Sequence, residues 1–312
     1  MKRKKTNSND NNRIKQEKHI TIEMLMQYIE NGDFLKVSEF SNTCAINQMI
    51  KYEPKAENLK NDFNVEGFTP LLLAARLQKL QIMEILIEKK ADVNYRLQCS
   101  VPSQEADYDD TVGILMWTMN STYTEESMVP RLKEEYEHNA TKLVISHGLY
   151  SNSTLIENRW EGYQFCTPVC QAVQHGKMPL LKLLLENGMD VNIFDGDPNT
   201  GSRTAITCAI QEDNIEAIKL LLEYGADLNF TPFDPRLKEN NQLDCFNEIP
   251  PSPLLKALAG GGGGAQVRIP SEVTTIQYIL SHGAMLAWTD ITANQGYVNV
   301  DLYKNNILPL YN

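Results

Sequence analysis

The chain has 312 residues, a formal net charge of −11 and 42% hydrophobic residues, a balance that suits a water-soluble fold and leaves no run of about 18 apolar residues for a membrane span. An acidic body argues against nucleic acid as its partner. Six cysteines (Cys44, Cys99, Cys166, Cys170, Cys208, Cys245) lack framework spacing, which excludes a disulfide scaffold and points to free thiols in a reducing cytosol.

Residues 1–18 hold seven basic side chains, Lys2, Arg3, Lys4, Lys5, Arg13, Lys15 and Lys18, against Asp10 and Glu17. With almost nothing to bury, this stretch is expected to be a disordered basic tail. No apolar run follows MKRKK, so no secretory leader is expected. A solvated tail is the plain reading; Lys2, Arg3, Lys4 and Lys5 leave open nuclear import or contact with anionic lipid or nucleic acid.

From there the sequence predicts a series of short helix pairs. Ile22 to Phe40 reads as a degenerate first pair around the turn Asn31-Gly32-Asp33, within a unit at about 20–60. Thr69 to Asn94, TPLLLAARLQKLQIMEILIEKKADVN, closes a second unit at 61–94. A third, at 111–150, is expected from Gly113 to Asn120 and Ala140 to Gly148, with the insertion Ser121 to Glu135 lengthening its second helix or forming a flap. Residues 167–192 and 204–229 then repeat each other at a fixed offset of 37, inside units at 160–192 and 200–229. Ser252 to Ala259 and Val273 to Gly283 supply the last unit, 250–286, interrupted by the flexible run Gly260 to Gly264, and 291–312 is read as a C-terminal cap or tail. The whole of 19–290 is expected to be one domain, because a single helix pair cannot bury its apolar face without neighbours.

Local chemistry explains the recurring letters. Thr69-Pro70, Thr167-Pro168 and Ser252-Pro253 start helices, the hydroxyl as cap and the proline where no N–H is needed. Ala74, Ala172, Ala209 and Ala257 are small enough to let neighbouring helices approach, and Leu183 to Leu185 and Leu220 to Leu222 are core. Gly148, Gly188, Gly225 and Gly283 stop second helices in a left-handed conformation. Lys90 stands in that place in the second unit.

This pattern resembles the ankyrin repeat, whose consensus runs T-P-L-H-x-A and closes on L-L-x-x-G-A-x-x-N. The consensus histidine is Leu72, Cys170, Thr207 and Leu255 here. The resemblance implies an all-α ankyrin-repeat solenoid of about six helix-turn-helix repeats with long inter-repeat loops, serving as a protein-interaction scaffold or adaptor. Its concave face would present Arg76, Gln171, Gln174 and Gln211. Its finger loops, Tyr95 to Asp110, Ile193 to Arg203 and Phe230 to Pro250, hold ten acids against four bases. Tyr95, Asp107, Tyr108, Asp109, Asp110, Phe194, Asp195, Asp197, Phe230 and Phe233 are therefore the candidate contacts for a protein partner with a basic surface. The chain itself is expected to be a cytoplasmic monomer. Its Lys, Asn and Ile-rich composition and interrupted repeats also resemble ankyrin effectors that intracellular bacteria deliver into host cells. The family further implies asparaginyl hydroxylation at Asn94, Asn192 and Asn229, each with a leucine eight residues before it and an aspartate two before it.

Catalysis is not expected. Cys166 and Cys170 with His175 invite a metal or Cys/His reading, but Cys170 fills the consensus histidine position and His175 precedes the turn Gly176. His147 and His282 precede helix-ending glycines, where partial positive charge is favoured. Gly260 to Gly264 has no following lysine and so is no phosphate loop. Trp117, Trp160 and Tyr163 are read as packing, with partner contact the alternative. No metal, cofactor, small-molecule substrate or catalytic residue is assigned. The alternatives left open are an enzymatic activity in the insertions and a lipid- or nucleic-acid-binding tail.

Overall fold

A computed structural model describes residues 21–42, 45–52, 64–65, 67–100, 110–119, 130–149, 156–157, 165–193, 204–229, 252–259 and 271–285. They form helix pairs in series: α1 (Ile22–Asn31) with α2 (Phe34–Phe40), α3 (Pro70–Arg76) with α4 (Leu80–Glu88), and α5 (Ile114–Met119) with α6 (Pro130–Ser146). After these come α7 (Pro168–Gln174) with α8 (Met178–Glu186), α9 (Ala205–Gln211) with α10 (Ile215–Glu223), and α11 (Pro253–Ala259) with α12 (Val273–Ser281). The fold is the expected all-α repeat solenoid.

The helix starts follow from side chains. Thr69 Oγ1 accepts from Leu72 N at 3.3 Å, Thr167 Oγ1 from Cys170 N at 3.3 Å and Ser252 Oγ from Leu255 N at 3.2 Å, with proline at the first helical position in each case. Thr204 lacks the proline, and there Thr207 Oγ1 reaches back to accept from Thr204 N at 2.8 Å. The helix stops follow from backbone: Gly148, Gly188, Gly225 and Gly283 have φ of 92°, 78°, 86° and 88°. Lys90 takes the same left-handed conformation with φ 72° although it carries a Cβ, a geometry that disfavours L-residues by roughly 1–2 kcal/mol.

One continuous apolar core runs through the stack. Ala74, Ala172, Ala209 and Ala257 are fully buried, as are Leu184 and Leu221. Complete burial of a leucine contributes about 1.5–3 kcal/mol. Cys170 and Cys208 are buried free thiols in this core.

Between helix pairs the structure adds a feature absent from the sequence expectation. β1 (Asn64–Val65), β2 (Arg96–Ser100), β3 (Asp110–Gly113), β4 (Ile156–Glu157) and β5 (Phe165–Cys166) form one antiparallel sheet in chain order along the finger edge. Leu97 pairs with Val112, Thr111 with Glu157 and Ile156 with Cys166. Cys99 and Cys166 thus lie in strands.

The part of the third unit's insertion that is described, 130–135, lengthens the second helix: α6 begins at Pro130 and runs 17 residues, twice the length of α4 less one, while 121–129 lie outside the described residues. Its added N-terminal turns carry Tyr136 and Glu137 inward. Gly260 to Gly264, Trp160, Tyr163, the tail 1–18 and residues 291–312 lie outside the described residues.

Candidate protein-binding surface

The inner helices α3, α7 and α9 bring the expected face residues to equivalent steps, seven positions beyond Thr69, Thr167 and Thr204. Gln174 and Gln211 are half-buried there, as is Gln171 one turn earlier. Arg76 departs from its outward placing. It is only 6% exposed, and its guanidinium lies 5.0 Å from the centre of the Phe68 ring. Phe68, itself buried, supplies the flat apolar platform; the residue before the helix-capping threonine is Cys166 in the fourth unit and Arg203 in the fifth, so only this copy offers a ring.

On the finger side, Tyr95 is half-buried and packs against the core. Asp110 opens β3 opposite Cys99. Asp107, Tyr108, Asp109, Phe194, Asp195, Asp197, Phe230 and Phe233 lie outside the described residues.

The closing asparagines are engaged in a relay from turn to turn. Asp92, Asp190 and Asp227 each accept through Oδ1 from the N–H of Asn94, Asn192 and Asn229, at 2.8, 2.9 and 2.8 Å, which fixes those asparagines. Asn192 Nδ2 then donates to the Gly225 carbonyl at 3.1 Å while its Oδ1 accepts from Asp227 N at 2.8 Å. Asn229 does the same to the Gly283 carbonyl at 2.9 Å and Met285 N at 2.8 Å, and Asn94 Nδ2 donates to the Gly148 carbonyl at 2.9 Å. Any enzyme acting on these side chains has to meet the turn opened.

Three connecting residues escaped the sequence reading. Asn47 starts the relay, donating to the Lys90 carbonyl at 3.3 Å and accepting from Asp92 N at 2.8 Å. It sits seven residues past the end of α2, whereas Asn94, Asn192 and Asn229 sit six past theirs, and that one-residue shift breaks the visible spacing. Tyr136 donates through its hydroxyl to the Ala75 carbonyl at 2.8 Å, tying α6 to α3. Burial, with the neighbouring Glu137 carboxylate, pushes this phenol well above its ordinary value. Lys177 pairs with the buried Glu137 at 3.0 Å.

His147 Nδ1 lies 2.9 Å from the Leu143 carbonyl and His282 Nδ1 2.8 Å from the Tyr278 carbonyl. A carbonyl only accepts, so Nδ1 carries the proton in each. His175 is an exposed C-cap of α7, as its turn position implied. An open hollow lined by Lys90, Asp92, Asn94 and His147 lies beside the relay. Among the described residues no group of three His, Cys, Asp or Glu is placed to hold a metal, and no helix is long and apolar enough to cross a membrane.

A search of curated proteins returned no match. A family model for three copies of the ankyrin repeat matches residues 133–231, and a single-repeat model matches residues 66–96. These spans cover α3 with α4 and the run from α6 to α10, the helix pairs whose caps, glycine stops and asparagine turns are set out above. Residues 66–96 and 133–231 of the chain are ankyrin repeats.

Proposed function

We propose that the chain is a scaffold or adaptor that holds a protein partner across its inner helices and finger edge, the partner presenting basic side chains. Ankyrin repeats mediate protein–protein interaction. The observation that carries the reading here is the alignment of Gln171, Gln174 and Gln211. These partly exposed amides lie on successive inner helices above a core that is otherwise closed. Amide side chains both donate and accept, so they suit peptide backbone and polar side chains without fixing one charge sign. The surplus of acids in the finger sequences supplies the charge preference.

The test is capture of partners by the folded chain, compared with a variant carrying Asp107→Lys, Asp109→Lys and Asp110→Lys and with one carrying Gln174→Ala and Gln211→Ala. Both variants should keep the wild-type circular dichroism, and each should lose a basic partner that the wild type retains. Partner binding unchanged by both sets of substitutions would remove this surface from the function.

A further inference from the structure

The third and fourth repeats meet differently from the others. Elsewhere consecutive inner helices run close together, α1 by α3, α3 by α5, α7 by α9 and α9 by α11, but the backbones of α5 and α7 come less close than these. α5 is a six-residue helix where α3, α7, α9 and α11 have seven. The three-copy family match begins at residue 133, beyond α5.

Two other ties hold the junction, at opposite ends of the helix pairs. At the finger edge β3 runs directly into α5 and β5 is followed by α7, with β4 hydrogen-bonded between them. At the turn edge Lys177, the N-cap of α8, extends its ammonium to the carbonyl of Met119, the last residue of α5. The same ammonium pairs with Glu137 Oε2 of α6 at 3.0 Å, and Glu137 is 3% exposed. Outer helices α6 and α8 pack behind. Glu137 is buried and the Lys177 ammonium sets a positive charge beside it, so removing that ammonium weakens the tie.

We infer that the junction between the third and fourth repeats is a clasped hinge, with the β3–β4–β5 ribbon as pivot and Lys177, held by Met119 and Glu137, as clasp. With the clasp closed the end of α5 is held to the turn after α7. With it released, the turn ends of α5 and α7 part about the ribbon and the inner face widens at its middle. The inference does not depend on which partner the surface binds.

Hydrogen exchange of the full chain read by mass spectrometry tests it, comparing the wild type with Lys177→Met, which keeps the aliphatic stem and removes the ammonium. Amides of Ile114–Met119 and of residues 174–177 should exchange at least ten-fold faster. Those of β3, β5 and α9 to α12 should stay as in the wild type. As a comparison, Asn192→Ala removes a polar link at the next junction, where α7 and α9 pack, and should affect only the turn around Gly225. A uniform rise across the chain, a rise centred on the strands, or the α5 and α7 pattern appearing in Asn192→Ala would each overturn the hinge. Should Lys177→Met not fold, Glu137→Gln removes the charge and keeps the shape. It must then show the same localisation at a smaller fold-change, and unchanged α5 and α7 amides in that variant would refute the clasp.

Discussion

Lys90 and Gly188 occupy the same step of two repeats and the same region of backbone space, φ 72° and 78°, which permits a reciprocal exchange. Lys90→Gly removes a Cβ from a left-handed residue, relieving roughly 1–2 kcal/mol. Glycine's greater freedom in the unfolded chain returns about 0.5–1 kcal/mol, leaving a net stabilisation of about 0.5–1 kcal/mol. The hydrogen bonds survive, because Asn47 addresses the Lys90 carbonyl and the Lys90 N–H donates to the Ile87 carbonyl, both backbone groups. Gly188→Ala should run the other way by a similar amount. A Cβ built at Gly188 meets no heavy atom within 4 Å, so the penalty is conformational and free of any clash. Urea unfolding of the full chain, followed by far-ultraviolet circular dichroism, should show the midpoint rising for Lys90→Gly and falling for Gly188→Ala at unchanged slope. A lower midpoint for Lys90→Gly would show that the lysine side chain contributes more than its backbone strain removes, and the argument from left-handed geometry would fail.

Two further outcomes follow from buried groups. Leu184→Ala and Leu221→Ala, both at fully buried positions of equivalent second helices, should each lower stability by about 2–5 kcal/mol through lost burial and a residual cavity, measured by the same denaturation; an unchanged midpoint for both would count against the register. Tyr136 titrates near 10.0 when unfolded and higher when folded, so the fold keeps its full stability below that pH and loses it progressively above. Tyr136→Phe should cost about 1 kcal/mol at neutral pH and flatten the alkaline fall; an equally steep fall in that variant would place the sensitivity elsewhere, with Tyr52 beside Glu30 the next group to examine.

What the sequence disclosed was governed by contacts near in the chain. Thr69, Thr167 and Ser252 cap helices through amides three residues on, and Gly148, Gly188, Gly225 and Gly283 stop helices through their own backbone. Such features repeat with the helix pair and stand out by spacing. The sheet did not, because β1, β4 and β5 are two residues each, too short for an alternating pattern to register. The burial of Arg76 depends on an aromatic platform in one copy, and the Lys177–Glu137 pair joins residues 40 apart in different repeats. Repetition reveals what the copies share and conceals what one copy does alone. Among the candidate contacts Gln171, Gln174 and Gln211 are partly exposed and Arg76 is turned inward.

The asparagine relay also has a direction. Asn94, Asn192 and Asn229 are each set by the aspartate of their own turn but spend their amides on the following repeat, Asn94 on Gly148, Asn192 on Gly225 and Asp227, Asn229 on Gly283 and Met285. The last repeat has Met285 and Ala287 where the two before it have the aspartate and the asparagine, and its Gly283 carbonyl and Met285 N–H receive Asn229. Information about a damaged link therefore travels one way, and the repeat that suffers from a lost asparagine is the one after it. Where the relay is described, a map of mutational sensitivity is displaced by one repeat toward the C-terminus from the positions that cause it.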